Sequence, residues 1–249
     1  MKLISIKPLV FYFEEIDSTQ NFLKKHYKSL PNLTFVFSDF QTKGKGRRGR
    51  TWFTNKGKNL LFSVLIKDSS LVNKFDSLSI LSSLIVKELI SSFGIKDIQI
   101  KRPNDVYING KKICGILLEG INENSKLKGV VIGIGININQ DEFIDELRIE
   151  PTSLRIELNK EVDIKEARKK AYSIFVKTIK NINAIDYLKE VNKINYLQDK
   201  LVSFEYNGEV IKGIAKNINE DNSLKIISSN QIYNIKTGEV NQLKIVDIK

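Results

Sequence analysis

The chain has 249 residues, 41% hydrophobic and 28% charged, enough for one large soluble domain or one large and one small. A single cysteine, Cys114, excludes an internal disulfide, and with a single histidine, His26, it excludes a zinc site of three or four N and S ligands. The net charge of +11 favours anionic partners: nucleotides, nucleic acid or an acidic protein.

The N-terminal run MKLISIKPLVFYFEE is apolar but broken by Lys7 and Pro8, a poor signal peptide. The longest apolar stretches, such as NLLFSVLI, are far too short to span a bilayer, so the expectation is a soluble, cytoplasmic protein without membrane contact. EEIDSTQNFLKKHYKSL predicts a helix starting near Asp17 to Thr19, capped by Ser18 or Asp17, with Gln20 completing a capping box. Phe22, Leu23 and Tyr27 form its apolar face, and His26 has a surface or packing role. LTFVFSDF predicts a strand leading into the basic stretch QTKGKGRRGRTW (41–52), and NLLFSVLI a following strand buried on both faces.

From Asn73 to Phe93, Leu78, Leu81, Ile85 and Leu89 recur at helical spacing, and Gly94 ends the helix. IQIKRPNDVYING and KKICGILLEG meet at Asn109-Gly110, a hairpin turn signal, and LKGVVIGIGININ is another strand. Consecutive strands with helices set apart predict an α+β fold, a mainly antiparallel sheet with helices on one side. After Asn139 the segment QDEFIDELRIEP is acidic and irregular, and helices are expected over Asp163–Asn183 and Ile185–Ile194. From about Leu201 short strands alternate with turn residues, which fits a small β-barrel. The expected division is 1–198 and 199–249.

Gly44, Gly46 and Gly49 satisfy G-x-G-x-x-G, but a dinucleotide site needs a helix directly after the glycines, and RTWFTNKGKN follows instead. The near match to a P-loop, with Arg50 in place of its lysine, fails for the same reason, and the H-R-D and D-F-G of a kinase are missing. Lys43, Lys45, Arg47, Arg48, Arg50 and Trp52 could also track a nucleic-acid backbone and stack a base. An internal cationic loop between two apolar strands favours a small phosphorylated ligand, which glycines let the backbone approach. The nucleic-acid reading stays open at this point. KRPNDVYINGKKICGILLEG gathers Lys101, Asn104, Asp105, Lys111 and Lys112 around a turn, and GIGININ ends a strand with two glycines and Asn137.

Together and in this order, these segments resemble the biotin protein ligase family along nearly the whole chain. EIDSTQNFL resembles its I-D-S-T-N segment, QTKGKGRRGRTW its G-R-G-R-R-G-R-x-W loop, and KRPNDVY with KKICGILLE its K-W-P-N-D and K-x-x-G-I-L-x-E. GIGININ resembles G-x-G-I-N, PTSLR a later T-S-L segment, and the end of the chain the family's SH3-like barrel. The resemblance implies a biotin/lipoate ligase-like catalytic domain, and a reaction in which biotin and ATP form biotinyl-5′-AMP, whose acyl group passes to a lysine of the biotin carrier domain of a carboxylase. It implies catalytic roles for Arg47, Lys112 and Asp105, and biotin contacts from Ser18, Thr19, Gln41, Gly44, Lys45, Lys112, Gly115 and Gly133, with Gly135 also lining the pocket. Arg47, Arg48, Arg50, Trp52, Asn104 and Asn137 would hold ATP or the adenylate, with Mg²⁺ as the nucleotide's metal and no protein-coordinated metal centre. Asp105 is expected to pair with Lys45 and close the loop over biotin, with orientation of the incoming amine or of a metal ion as the roles left open beside it.

Two residues depart from the family pattern. Arg102 replaces a tryptophan before Pro103, and Lys45 replaces an arginine, losing its planar fork. Some family members carry an extra N-terminal helix-turn-helix domain. This chain starts close to the catalytic region, so the expectation is no sequence-specific DNA binding. Pairing along a sheet edge makes a monomer or weak homodimer the expected assembly. The rival readings are a lipoate or octanoate ligase, whose acyl group lacks a ureido head, and a nucleic-acid-binding module.

Overall fold

The structure, a computed structural model, describes residues 8–143, 150–182, 185–229, 231–236, 239 and 241–246. Its first part runs β1 (Val10–Ile16), α1 (Thr19–His26), β2 (Thr34–Gln41), a 3₁₀ turn at Arg47–Gly49, β3 (Asn59–Ile66), the single turn α2 (Ser69–Val72) and α3 (Phe75–Ser91). There follow β4 (Ile98–Lys101), β5 (Asp105–Ile108), β6 (Lys111–Glu123), β7 (Lys126–Asn137), α4 (Leu154–Leu158), α5 (Ile164–Lys180) and α6 (Tyr187–Lys193). The chain ends in β8 (Leu201–Tyr206), β9 (Glu209–Ile218), β10 (Leu224–Ile227), β11 (Ile232–Ile235) and β12 (Asn241–Ile245).

Seven strands form one sheet in the order β1-β2-β3-β7-β6-β5-β4. All pairs are antiparallel except β1 with β2, so the mainly antiparallel expectation holds with one parallel edge. Period-two alternation sends Phe35, Phe37, Phe62, Val64, Ile132, Ile134, Cys114 and Ile116 to one face, where they share the main core with Leu78, Ile85 and Leu89 of α3 and Phe175 of α5. α1 covers part of the other face. Leu23 of α1 packs there on Val36, Leu65 and Val131, so α1 lies opposite α3 and α5 rather than beside them.

Asn109 and Gly110 both take positive φ (51° and 78°) in the β5–β6 hairpin, as its two-residue turn requires. Gly94, at φ 99°, follows α3 as expected. Asp163 caps α5, accepting from Lys165 N at 2.8 Å. That helix ends at Lys180, and the expected end at position 183 lies outside the described residues, as do 144–149 of the acidic segment. Ser18 occupies the N-cap of α1 without a side-chain capping bond, and Gln20 donates to Leu117 O at 3.2 Å instead of completing a capping box.

The last five strands form a separate antiparallel sheet, β11-β10-β9-β8-β12. Val202, Phe204, Ala215, Leu224 and Ile226 of this sheet pack with Ile80 of α3, Ile100 of β4 and Val191 of α6. The Tyr196 ring stacks on Tyr107 with centroids 4.7 Å apart. Among the described residues no helix is long and apolar enough to cross a membrane.

Candidate active site

Beside α1 the second sheet face carries glycines in place of side chains. In β7 the isoleucines 132, 134 and 136 point into the core, so Gly133 and Gly135 point the other way. Gly115 lies opposite Gly135, and Ser63 opposite Gly133. The indole of Trp52 rests on this floor. A Cβ at Gly135 would lie 2.6 Å from Trp52 Cε2, and one at Gly115 would lie 2.8 Å from Cζ3. A Cβ at Gly133 would lie 2.6 Å from Gln20 Cδ. Glycine permits the close approach of the rigid indole at Gly115 and Gly135.

Beside the floor is a polar end in which Thr19 and Ser63 are buried and Gln41 half-buried. Gln41 Oε1 accepts from Thr19 N at 2.8 Å and from Thr19 Oγ1 at 3.0 Å, and Thr19 Oγ1 lies 2.7 Å from Ser63 Oγ. Ser18 and Thr19 are 1% and 2% exposed. Desolvated polar groups of this kind are costly without partners and suit a neutral ligand head that both donates and accepts.

The loop that follows Gln41 is cationic. After β2 the chain folds back on itself, with Gly46 N donating to Arg50 O at 2.7 Å and Trp52 N to Gly44 O at 3.1 Å. Arg48 (φ 56°) and Gly49 (φ 73°) turn the tip. The loop lines a cleft of about 720 Å³ with Leu117 and Glu119. Arg47 Nη1 donates to Asn104 Oδ1 at 3.0 Å. Burial first, then Arg48 and Arg50, pull the Arg47 pKa below the ordinary arginine value, against the opposite pull of Asp105. Arginine keeps its proton at neutral pH, so the shift records crowded, partly desolvated positive charge that an incoming anion would relieve.

Two ties hold this loop and its surroundings. Lys45 Nζ donates to Asn21 Oδ1 at 2.6 Å, and Asn21 Nδ2 to Asp17 Oδ2 at 2.6 Å. The Asn21 hydrogen bond, more than any other favourable contact, holds the Asp17 carboxyl below its ordinary value. Lys112 Nζ lies 2.7 Å from Asp105 Oδ1 and 5.8 Å from the Trp52 ring centroid. The expected Asp105–Lys45 pair is therefore corrected. Asp105 sits opposite Gly115 in the β5–β6 ladder, within reach of Lys112, while Lys45 is drawn to α1.

Most of the expected site residues converge here. Thr19 and Gln41 form the polar end, Gly115, Gly133 and Gly135 the floor, and Trp52 and Lys112 its cover. Gly44, Lys45, Arg47, Arg48 and Arg50 line the cleft, and Asn104 anchors Arg47. Asn137 is placed differently: it is buried and donates to Thr152 O at 2.9 Å, tying the PTSLR segment to the end of β7. Ser63, Gln20 and Asn21 were not anticipated. A lone hydroxyl inside the apolar strand NLLFSVLI was the available signal for Ser63, and the four-residue spacing to Asp17 for Asn21.

Residues 12–137, just over half of the chain, match the model of the biotin/lipoate A/B protein ligase family. The chain is 36% identical over 157 residues to the bifunctional ligase/repressor BirA of Bacillus spizizenii, covering 62% of this chain and 48% of the relative. It is 31% identical over 124 residues to the biotin–[acetyl-CoA-carboxylase] ligase of Paracoccus denitrificans, covering 49% of this chain and 51% of that one. The chain thus spans about half the length of these curated relatives. Among solved structures, the biotin protein ligase of Aquifex aeolicus in complex with biotin and ATP superposes with a TM-score of 0.82 at 27% identity, covering 96% of this chain and 99% of that one.

Proposed function

The chain belongs to the biotin/lipoate A/B protein ligase family, and from that premise we propose that it is a biotin–protein ligase. One observation carries the choice within the family: the Thr19–Gln41–Ser63 cluster, with Thr19 and Ser63 buried, beside a glycine floor and next to the start of the arginine-rich loop. A ureido ring both donates and accepts hydrogen bonds and suits this polar cluster, whereas a lipoyl or octanoyl chain brings no such head to it.

In the first step a biotin carboxylate oxygen attacks the α-phosphorus of ATP, the bond to the β-phosphate bridging oxygen breaks, and pyrophosphate leaves. Two anions meet, so fixed positive charge is the main requirement. Arg47, half-buried and oriented by Asn104, serves the carboxylate and α-phosphate, while Arg48, Arg50 and Lys45 offset the remaining phosphate charge. Mg²⁺ enters as the metal of the substrate MgATP, held by phosphate oxygens. Among the described residues no group of three or more His, Cys, Asp or Glu could hold a metal ion.

In the second step a neutral lysine amine of the acceptor attacks the acyl carbon, AMP departs with the bond's electron pair, and the amine loses a proton. Lys112 is the cation for the carbonyl oxygen that gains charge, and Asp105, paired with it at 2.7 Å, fixes its position and can orient the incoming amine. Trp52 walls the slot. We take the acceptor to be the biotin carrier domain of a carboxylase, the setting to be the cytoplasm, and the protein to be a monomer or weak homodimer. We also read residues 199–249 as an SH3-like barrel appended to a catalytic domain of residues 1–198.

Incubation with MgATP, biotin and a biotin carrier domain, followed by streptavidin detection of the acceptor lysine, tests this reading. Biotin transfer is expected. Transfer of lipoate to a lipoyl domain, without biotin transfer, would replace it.

A further inference from the structure

Asn59, the first residue of β3, lies outside the site yet holds three separate parts of the chain together. It is 1% exposed. Its Nδ2 donates to Thr54 Oγ1 at 2.7 Å and to Gln140 Oε1 at 2.5 Å, while its Oδ1 accepts from Ile138 N at 3.1 Å. Thr54 and Gln140 are also buried, so each of these bonds is costly to lose without a substitute.

The partners matter more than their number. Thr54 is two residues beyond Trp52, at the exit of the cationic loop. Ile138 and Gln140 follow β7. From there the connections lead to the other side of the slot: Asn137 Nδ2 donates to Thr152 O at 2.9 Å, Arg155 N to Ile138 O at 2.8 Å, and Thr152 N to Lys112 O at 2.9 Å. Lys112 Nζ then stands 5.8 Å from the centre of the Trp52 ring. The path from Trp52 through Asn59 to Lys112 is thus closed through space by Lys112 and Trp52 themselves.

We propose that Asn59 is a positioning residue that fixes the Trp52 indole relative to the Lys112 ammonium, and so aligns the acyl carbonyl with the cation that stabilises it. The proposal rests on the ligase reading. It separates two functions: the Thr19–Gln41–Ser63 end binds the head of the acid, and the Asn59 connection aligns its reacting end. Loss of Asn59 should therefore lower the rate of acyl transfer and leave biotin binding nearly intact.

Asn59→Ala and Thr54→Val are compared with wild type in three measurements: KM for biotin, the single-turnover rate of acyl transfer from preformed biotinyl-5′-AMP, and the emission of Trp52, the only tryptophan. The expected result is a transfer rate lower by about 10- to 100-fold in Asn59→Ala, the scale of a misplaced reacting group. KM for biotin should stay within about twofold, the emission should shift without ligand, and Thr54→Val should change in the same direction by less. Thr54→Val decides the matter if Asn59→Ala does not fold. Unchanged emission and transfer rate would overturn the proposal, as would a rise in KM matching the loss of rate. A wild type that forms no biotinyl-5′-AMP would overturn the ligase reading by itself, and the ligand-free emission would still decide whether Asn59 places Trp52.

Discussion

Gly135→Ala tests the glycine floor with the smallest possible addition. The new methyl carbon would lie 2.6 Å from Trp52 Cε2 and 2.8 Å from Nε1. Ordinary contact begins near 3.4 Å, so the indole must retreat by roughly 0.8 Å. A rigid ring cannot fold away from the clash, and overpacking of this kind costs about 1–3 kcal/mol. Where that strain falls on the state that holds biotin, KM for biotin rises, by about 5- to 150-fold if all of it does. Gly133→Ala provides an internal contrast. Its methyl meets the flexible end of Gln20, which can turn aside by giving up its 3.2 Å bond to Leu117 O, so its effect should be smaller. The assay is biotin-dependent exchange of labelled pyrophosphate into ATP, read alongside Trp52 emission. A Gly135→Ala protein with wild-type emission and a KM within twofold of wild type would refute the packing argument.

Arg47→Ala removes the arginine held by Asn104, and adenylate formation should lose on the order of 3 kcal/mol of transition-state stabilisation, about 100-fold in rate, by pyrophosphate exchange. Asp105→Ala leaves Lys112 without its partner at 2.7 Å, so intermediate retention and acyl transfer should both weaken, and wild-type behaviour in both half-reactions would defeat the assignment. The folded-state pKa of Asp17 is depressed below 3.8, so its carboxylate adds stability above the unfolded value and loses it as pH falls through the folded value. Asp17→Asn should therefore be less stable than wild type at neutral pH in urea unfolding, with the gap closing below pH 3.8. Filter binding of nucleic acid at two salt concentrations addresses the rival use of the basic loop: any affinity dominated by phosphate contacts should collapse as salt rises.

The sheet was legible because its strands carry strong local signals. Asn109-Gly110 could hardly be anything but a hairpin turn, and Phe75–Ser91 repeats its leucines at helical spacing. The position of α1 was not legible. Its face of Phe22, Leu23 and Tyr27 specifies burial but not which side of the sheet provides it. The site was legible as an ordered set of segments more than as geometry. IGIGIN (132–137) alternates isoleucine and glycine with period two, which encodes a core face and a bare face, yet by itself it also reads as a strand running out into glycines. The Asp105 pairing failed because Lys45 and Lys112 carry the same charge at comparable reach. Only the ladder that sets Asp105 opposite Gly115, with Asn21 available to Lys45, decides between them.

Catalysis rests most on the cationic loop folding inward onto a mixed anhydride of biotin and AMP. The most direct test is a crystal structure with a non-hydrolysable sulfamate analogue of that anhydride. The bicyclic head should meet Thr19, Gln41 and Ser63, and Arg47 should contact the group that replaces the phosphate. A loop pointing into solvent, with the analogue bound elsewhere or not at all, would contradict the account.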